Sequence, residues 1–253
     1  MNIKRFFNLL IFFSCILSSS FSAPKIILKL DDFMVKDGQC GCIPTLDYLK
    51  LKQIKAAFGA VVMRVDSTVQ QVWSPYMEAK NDRGEKLFEI WHHGWDHKKP
   101  EFLGTGYDYQ KKHFDQANDL ILKYLGIQMH TFGSPHNISD EETNQVIFEN
   151  PNYKVFMLSS KVPSTNNGIL YIDNRVNMEN GTGNPQFDYF KEEYFKHKEE
   201  YKDYMILQGH PSMWTVEKLE EFKKIVDFLI AEGCEFVLPY EYYLKTKAPK
   251  KPF

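Results

Sequence analysis

Lys25-Ile26-Ile27-Leu28-Lys29-Leu30-Asp31-Asp32 is the stretch that decides how this chain is read. It is an apolar run of strand length that ends abruptly in two carboxylates. Seven more strand-like runs follow: Ala60 to Val65, Leu87 to Trp91, Gln128 to Phe132, Tyr153 to Leu158, Gly168 to Ile172, Tyr204 to Leu207 and Glu235 to Leu238. Helix-like stretches lie between them. In Val216 to Ala231, Leu219, Phe222, Val226 and Leu229 recur at helical spacing and Gly233 follows as a stop. Another runs from Tyr109 to Leu125 and closes on Gly126, and a third opens at Ser139 and Glu142, which have capping-box spacing. Strands alternating with helices predict a parallel sheet wrapped by helices, and eight strands suit a (β/α) barrel.

Outward from that core, the amino end reads as a secretory leader. Lys4 and Arg5 precede an apolar run from Phe6 to Leu17, and small residues follow up to Ala23. The run is about a dozen residues, short of the roughly 20 that a membrane-spanning helix needs. Cleavage after Ser22 satisfies the small-x-small rule, which places the mature domain at 23–253 and predicts a secreted or periplasmic protein. Ser14-Cys15 would permit lipid anchoring, but Phe12 and Phe13 fit that signal badly. Removing the leader takes two cations from 31, against 33 acidic residues, and leaves a net charge of about minus four. That balance gives nucleic acid nothing to bind. The remainder shows no linker, low-complexity tract or repeat, so a single domain is expected.

Cys40, Cys42 and Cys234 stay in the mature chain, an odd number in an oxidising setting. The strand assignment places Cys40 and Cys42 in the loop after the first strand and Cys234 before the last, at opposite ends of the sheet. A strand spans roughly 17 Å and a disulfide needs Cα atoms within about 7 Å, so Cys234 is expected to be a buried, inert thiol.

Placed on this map, the polar clusters all follow strands. Asp31-Asp32 follows the first, His92-His93-Gly94-Trp95-Asp96-His97 the third, Gly133-Ser134-Pro135-His136 the fourth, and Gly209-His210-Pro211 the seventh. The carboxyl ends of the strands are where a β/α barrel assembles its active site. Each piece alone has a plainer explanation. Paired aspartates cap helices, His210 could be a buried histidine bonded to backbone, and the i, i+4 spacing of His93 and His97 also occurs between His92 and Asp96. Together, two histidines and one carboxylate form a three-ligand set that leaves a coordination position open for water, as catalytic zinc sites do.

In these motifs the sequence resembles the polysaccharide deacetylases of the NodB-homology fold, the family 4 carbohydrate esterases, and in particular their divergent bacterial branch. The resemblance rests on Lys29-Leu30-Asp31-Asp32, His93-Gly94-Trp95-Asp96-His97, Thr131-Phe132-Gly133-Ser134-Pro135-His136-Asn137 and Ile206-Leu207-Gln208-Gly209-His210-Pro211. Their order and spacing match along nearly the whole mature chain. The resemblance implies a distorted (β/α) barrel of seven or eight strands. It makes Asp31 the catalytic base, makes Asp32, His93 and His97 the ligands of a divalent metal, zinc in the first instance, and makes His210 the general acid. The implied reaction is removal of acetyl groups from an acetylated glycan. Trp95 and Trp214, next to His97 and His210, could each offer an aromatic face to a sugar, or equally pack the barrel. Pro135 belongs to the groove motif, and His136 stands where the pattern often has an aromatic residue.

One departure matters. Family members carry an arginine before the proline motif that orients the catalytic aspartate, and here Gly133 occupies that position. Arg175, after the sixth strand, could supply the charge instead. Loss of the arginine favours a second reading, a catalytically decayed carbohydrate-binding protein on the same barrel, against which the complete set of ligands, base and acid argues. A metallohydrolase acting on an O-acetyl ester is the third, because the same chemistry serves both bonds.

Overall fold

The computed structural model describes residues 23–36, 40–164 and 168–246. The leader assigned to 1–22 lies outside the described residues. Fifteen main elements follow in chain order: β1 (Lys25–Phe33), α1 (Ile43–Leu51), β2 (Ala56–Ala60), α2 (Ser67–Met77), β3 (Phe88–His92), α3 (Tyr107–Leu125), β4 (Thr131–Phe132), α4 (Glu141–Glu149), β5 (Val155–Met157), β6 (Leu170–Ile172), α5 (Phe187–His197), β7 (Tyr204–Gly209), α6 (Val216–Ala231), β8 (Glu235–Phe236) and α7 (Pro239–Thr246). Every pairing between these strands is parallel, in the order β6-β5-β4-β3-β2-β1-β7, with β8 paired to the start of β1. A parallel bridge between Arg175 and Ile206 joins the segment after β6 to β7 and closes the ring. The result is the expected distorted (β/α) barrel.

Strand alternation sorts the side chains into two cores. Ile26, Leu28 and Leu30 of β1 face the helices and join the larger apolar cluster, while Ile27 joins an inner cluster with Trp91, Val155, Ile172, Ile206 and Val237. Lys29 and Asp31 lie on the same face as Ile27, so β1 carries a buried lysine and a buried aspartate into the barrel interior. The β1–β7 register sets Ile27 opposite Ile206 and Lys29 opposite Gln208.

Three local expectations need correction. The second strand is Ala56–Ala60; Val62–Arg64, read from its β-branched neighbours as strand, is a turn of 3₁₀ helix. Within the true strand, Gly59 has no room for a side chain because the Trp91 indole fills the interior beside it: a Cβ there would lie 2.4 Å from Trp91 Cζ2. The α4 cap is Asp140, reciprocally bonded with Thr143, and Ser139 bonds instead to Ser159 and Ser160. The helix expected over Tyr109 to Leu125, α3, begins at Tyr107, two residues earlier. Cys40 and Cys42 form a disulfide at a Cα separation of 5.2 Å, and Cys234 is a buried free thiol, as expected.

Candidate active site

The predicted polar clusters meet at one mouth of the barrel. A cavity of about 380 Å³ is lined by Asp31, Asp32, His93, His97, His136, Asn137, Arg175, Thr182, Gln208 and His210. A hollow of about 440 Å³, lined by Phe88, Ile90, Leu238 and Tyr240 among others, contains none of these groups.

The end of β1 places Asp32, and the loop after β3 places His93 and His97. Ligand atoms of these three residues lie within 4.8 Å of one another. His93 Nε2 is 3.2 Å and His97 Nε2 is 2.9 Å from Asp32 Oδ1. His93 Nδ1 lies 2.8 Å from the Gly133 carbonyl, to which it can only donate, so in the neutral ring Nε2 presents a lone pair to the carboxylate. Asp32 Oδ1 is buried and has no donor of good geometry. An electron-rich nitrogen aimed at an electron-rich buried oxygen is a repulsive contact unless a cation lies between them. Asp32 (φ 61) and His97 (φ 59) also adopt left-handed backbone, a strained state for such residues that costs on the order of 1 kcal/mol or more each. The donor set therefore fits a divalent metal ion held by one carboxylate and two imidazoles.

His92, which has equal spacing to Asp96, faces the other way. It stacks on Phe114 at 4.7 Å, its Nδ1 accepts from Gly94 N–H, and burial pushes its pKa down to about 3, so it stays neutral in the core. Glu101, buried, accepts from the N–H groups of Trp95 and His97 at 2.5 and 2.9 Å and so shapes the loop that carries His97. Gly94 (φ 82) lets this loop sit against its neighbours: a Cβ there would meet Pro135 Cγ at 2.6 Å and Glu101 Oε2 at 2.7 Å.

On the other side of the cavity, Asp31 is held by three donors. Lys29 Nζ reaches both carboxylate oxygens, at 2.7 and 2.6 Å, and Gln208 Nε2 donates at 2.6 Å. The ammonium lies 4.7 Å above the Trp91 ring and donates weakly to Asn137 Oδ1 at 3.3 Å. Burial lowers the Lys29 pKa, and the Asp31 charge opposes that. Gly133 explains why the cation comes from β1: a Cβ at 133 would lie 2.7 Å from Trp91 Cζ3 and 3.2 Å from Lys29 Cε. Trp91 and the lysine stem fill the space into which an arginine at 133 would start. The expectation that Arg175 supplies this charge is corrected, since Lys29 does. Arg175 lines the cavity instead, as does His136, whose ring is 4.6 Å from that of His97.

His210 follows β7, and its Nδ1 is 2.7 Å from Glu179 Oε2. Glu179 Oε1 accepts from His210 N–H at 2.9 Å and from the Trp214 indole N–H at 2.7 Å. Burial lowers the His210 pKa, but the Glu179 hydrogen bond and then the Asp31 charge outweigh it, and the net shift is upward. Trp214 packs on Phe222 at 4.7 Å, Trp95 packs against the outer core, and Pro135 is buried against the Gly94 loop. None of these three is among the residues that line the cavity, whereas His136 and Arg175 are.

Sequence reasoning missed Lys29, Gln208, Asn137, Glu179 and Glu101. Lys29 had a readable signal, a lysine mid-strand two residues before Asp31 and therefore on its face. Glu179 had none, since it sits in a loop 31 residues from its partner.

No family model matches this sequence, and no curated protein matches it. Solved structures do. A family 4 acetyl xylan esterase from Clostridium thermocellum, in complex with a cobalt ion, superposes with a TM-score of 0.63 at 18% identity over 89% of this chain and 93% of that one. The catalytic domain of a peptidoglycan N-acetylglucosamine deacetylase from Eubacterium rectale gives 0.54 at 19% identity, over 90% and 92%. A family 4 pseudoenzyme from Bacillus anthracis gives 0.55 at 14% identity, over 85% and 63%. The fold that carries this site is the polysaccharide deacetylase fold.

Proposed function

We propose that the protein is a secreted, metal-dependent hydrolase that removes N- or O-acetyl groups from a carbohydrate. The observation that carries the proposal is the convergence of a three-ligand set, a doubly anchored carboxylate and a histidine–carboxylate pair on one cavity. Two structures with the same fold, an acetyl xylan esterase and a peptidoglycan deacetylase, support acetylated carbohydrate as the substrate class. The Cys40–Cys42 disulfide supports an oxidising compartment, and no described helix is long and apolar enough to cross a membrane.

A divalent ion on Asp32, His93 and His97, zinc in the first instance, would acidify a water and polarise the acetyl carbonyl. The remaining work falls to the protein's own groups. Asp31 accepts the proton of the attacking water. Its carboxylate offers about four lone-pair sites, of which Lys29 and Gln208 occupy three, so one stays open towards the cavity. Lys29 and Gln208 fix that carboxylate in orientation, which is what a general base requires. His210 donates a proton to the departing nitrogen or oxygen from Nε2, because Nδ1 is committed to Glu179. Glu179 in turn is fixed by Trp214.

The decayed-enzyme reading drew its support from the missing arginine. Lys29 on Asp31 removes that support, although a pseudoenzyme does share the fold. The test is metal content by elemental mass spectrometry together with acetate release from N- and O-acetylated oligosaccharides. About one equivalent of metal and acetate release abolished in Asp31→Asn are expected. Metal bound without acetate release from any glycan would return the decayed, binding-only reading.

A further inference from the structure

Arg175 is the one charged side chain of the cavity left without an assignment once Lys29 is placed on Asp31. Among the described residues it makes no ion pair and no side-chain hydrogen bond, whereas Lys29 is paired with Asp31 and Glu179 with His210. It does not trail from a loose loop. Val176 N–H donates to Ile206 O at 3.0 Å and Ile206 N–H to Asn174 O at 2.9 Å, so the bridge that closes the barrel flanks Arg175 on both sides. Ile206 is two residues before Gln208, the residue that holds Asp31, so Arg175 is anchored one inward-facing layer of β7 below it. The exposed hydroxyl-bearing residue Thr182 lines the same cavity.

Arg175 is an exposed residue whose backbone is fixed by that bridge, at a cavity that also contains a buried lysine. Its charge is felt there: after burial and the opposing pull of Asp31 and Asp32, it adds to the influences acting on the Lys29 ammonium. Exposed and without an ion pair, the guanidinium is open to an anion, and it is shaped to take a carboxylate through two parallel hydrogen bonds. We infer that Arg175 is an anion-recognition residue, and that the acetylated saccharide taken by this site bears a carboxylate near the acetyl group to be removed. The inference rests on the reading of the site as a saccharide deacetylase and narrows its substrate class.

The test uses a matched pair of acetylated disaccharides, one with a uronic acid carboxylate and one with that group converted to the neutral carboxamide. Equilibrium binding is measured by calorimetry on the zinc-loaded Asp31→Asn protein, where no turnover intervenes, and acetate release is measured on zinc-loaded wild type. The carboxylate ligand is expected to bind roughly ten- to a hundredfold tighter than its carboxamide, with the advantage falling as salt rises. In turnover the same preference appears in KM. Adding Arg175→Met brings the carboxylate-to-carboxamide ratio close to one, and Arg175→Lys restores part of it. Equal binding of the two ligands, binding of neither, or a preference that survives Arg175→Met overturns the inference. Absence of acetate release from both, with the binding preference intact, overturns the hydrolase reading and leaves the anion site standing.

Discussion

The two sides of the cavity are built differently. On the side proposed to bind metal, Asp32 comes from the end of β1 and His93 and His97 from the end of β3 and the loop after it, and the interval between the two histidines is local. On the side proposed to transfer protons, Asp31 and His210 are fixed by groups most of which lie far away in the chain: Lys29 and Gln208, with Asn137 behind them, around the proposed base, and Glu179, with Trp214 behind it, around the proposed acid. A metal site needs only lone pairs at the correct spacing and an ion that draws them together. A base and an acid have no such organiser, so their orientation is carried by hydrogen bonds from second residues. The first side can therefore be removed at a stroke, and the second should degrade by degrees.

The largest effect is expected from His93→Ala with His97→Ala. Metal content should fall from about one equivalent to none, and activity by roughly a thousandfold or more, with zinc titration followed by acetate release as the measurement. Retention of full activity without metal would dissolve the distinction between the two sides.

Lys29→Met comes next. It removes the cation from Asp31 but keeps the stem against Trp91. Because both groups are almost fully buried, the orphaned carboxylate should cost about 3–5 kcal/mol in denaturant unfolding, and kcat should fall roughly a hundredfold with metal content unchanged. Lys29→Met with Asp31→Asn sharpens the point: removing both charges should return much of the stability and none of the activity. If the single variant loses metal as well, the two sides are one unit.

How much could be read beforehand follows the same division. The barrel was legible, and the ligand set Asp32, His93 and His97 could be put forward, because strand runs, helical spacing and the His93–His97 interval are all local signals. The second strand was misplaced because Ala56 to Ala60 carries small residues in place of the β-branched ones that mark strands, and the reason at Gly59, the Trp91 indole lying across it, comes from a different strand. Gly133 read as a loss for a related reason. Only the packed interior shows that Lys29 and Trp91 occupy the place of the missing side chain. Trp95 and Trp214 could be read from sequence either as sugar platforms or as barrel packing, because sequence proximity says nothing about which way an indole points.

Glu101→Ala probes the metal side from behind. The N–H groups of Trp95 and His97 would lose their acceptor, and zinc affinity should weaken roughly ten- to a hundredfold in chelator competition while the fold persists. Undiminished affinity would show that local spacing alone suffices on this side.

The smallest effects are expected at Glu179 and at Trp214 behind it, and they are visible only in the pH profile. A general acid works protonated, and His210 is held above the ordinary histidine range, so its active form persists to higher pH and is lost as pH rises through the raised value. Glu179→Gln keeps an acceptor for Nδ1 but removes the charge. The alkaline limb of kcat should therefore move to lower pH, with activity lost first at the alkaline end of the profile. Trp214→Phe, which removes only the indole N–H that holds Glu179, should shift the limb in the same direction and by less. A limb that stays in place in Glu179→Gln would mean that Glu179 fixes the position of His210 without setting its charge, and the proton-transfer side would then depend on geometry alone.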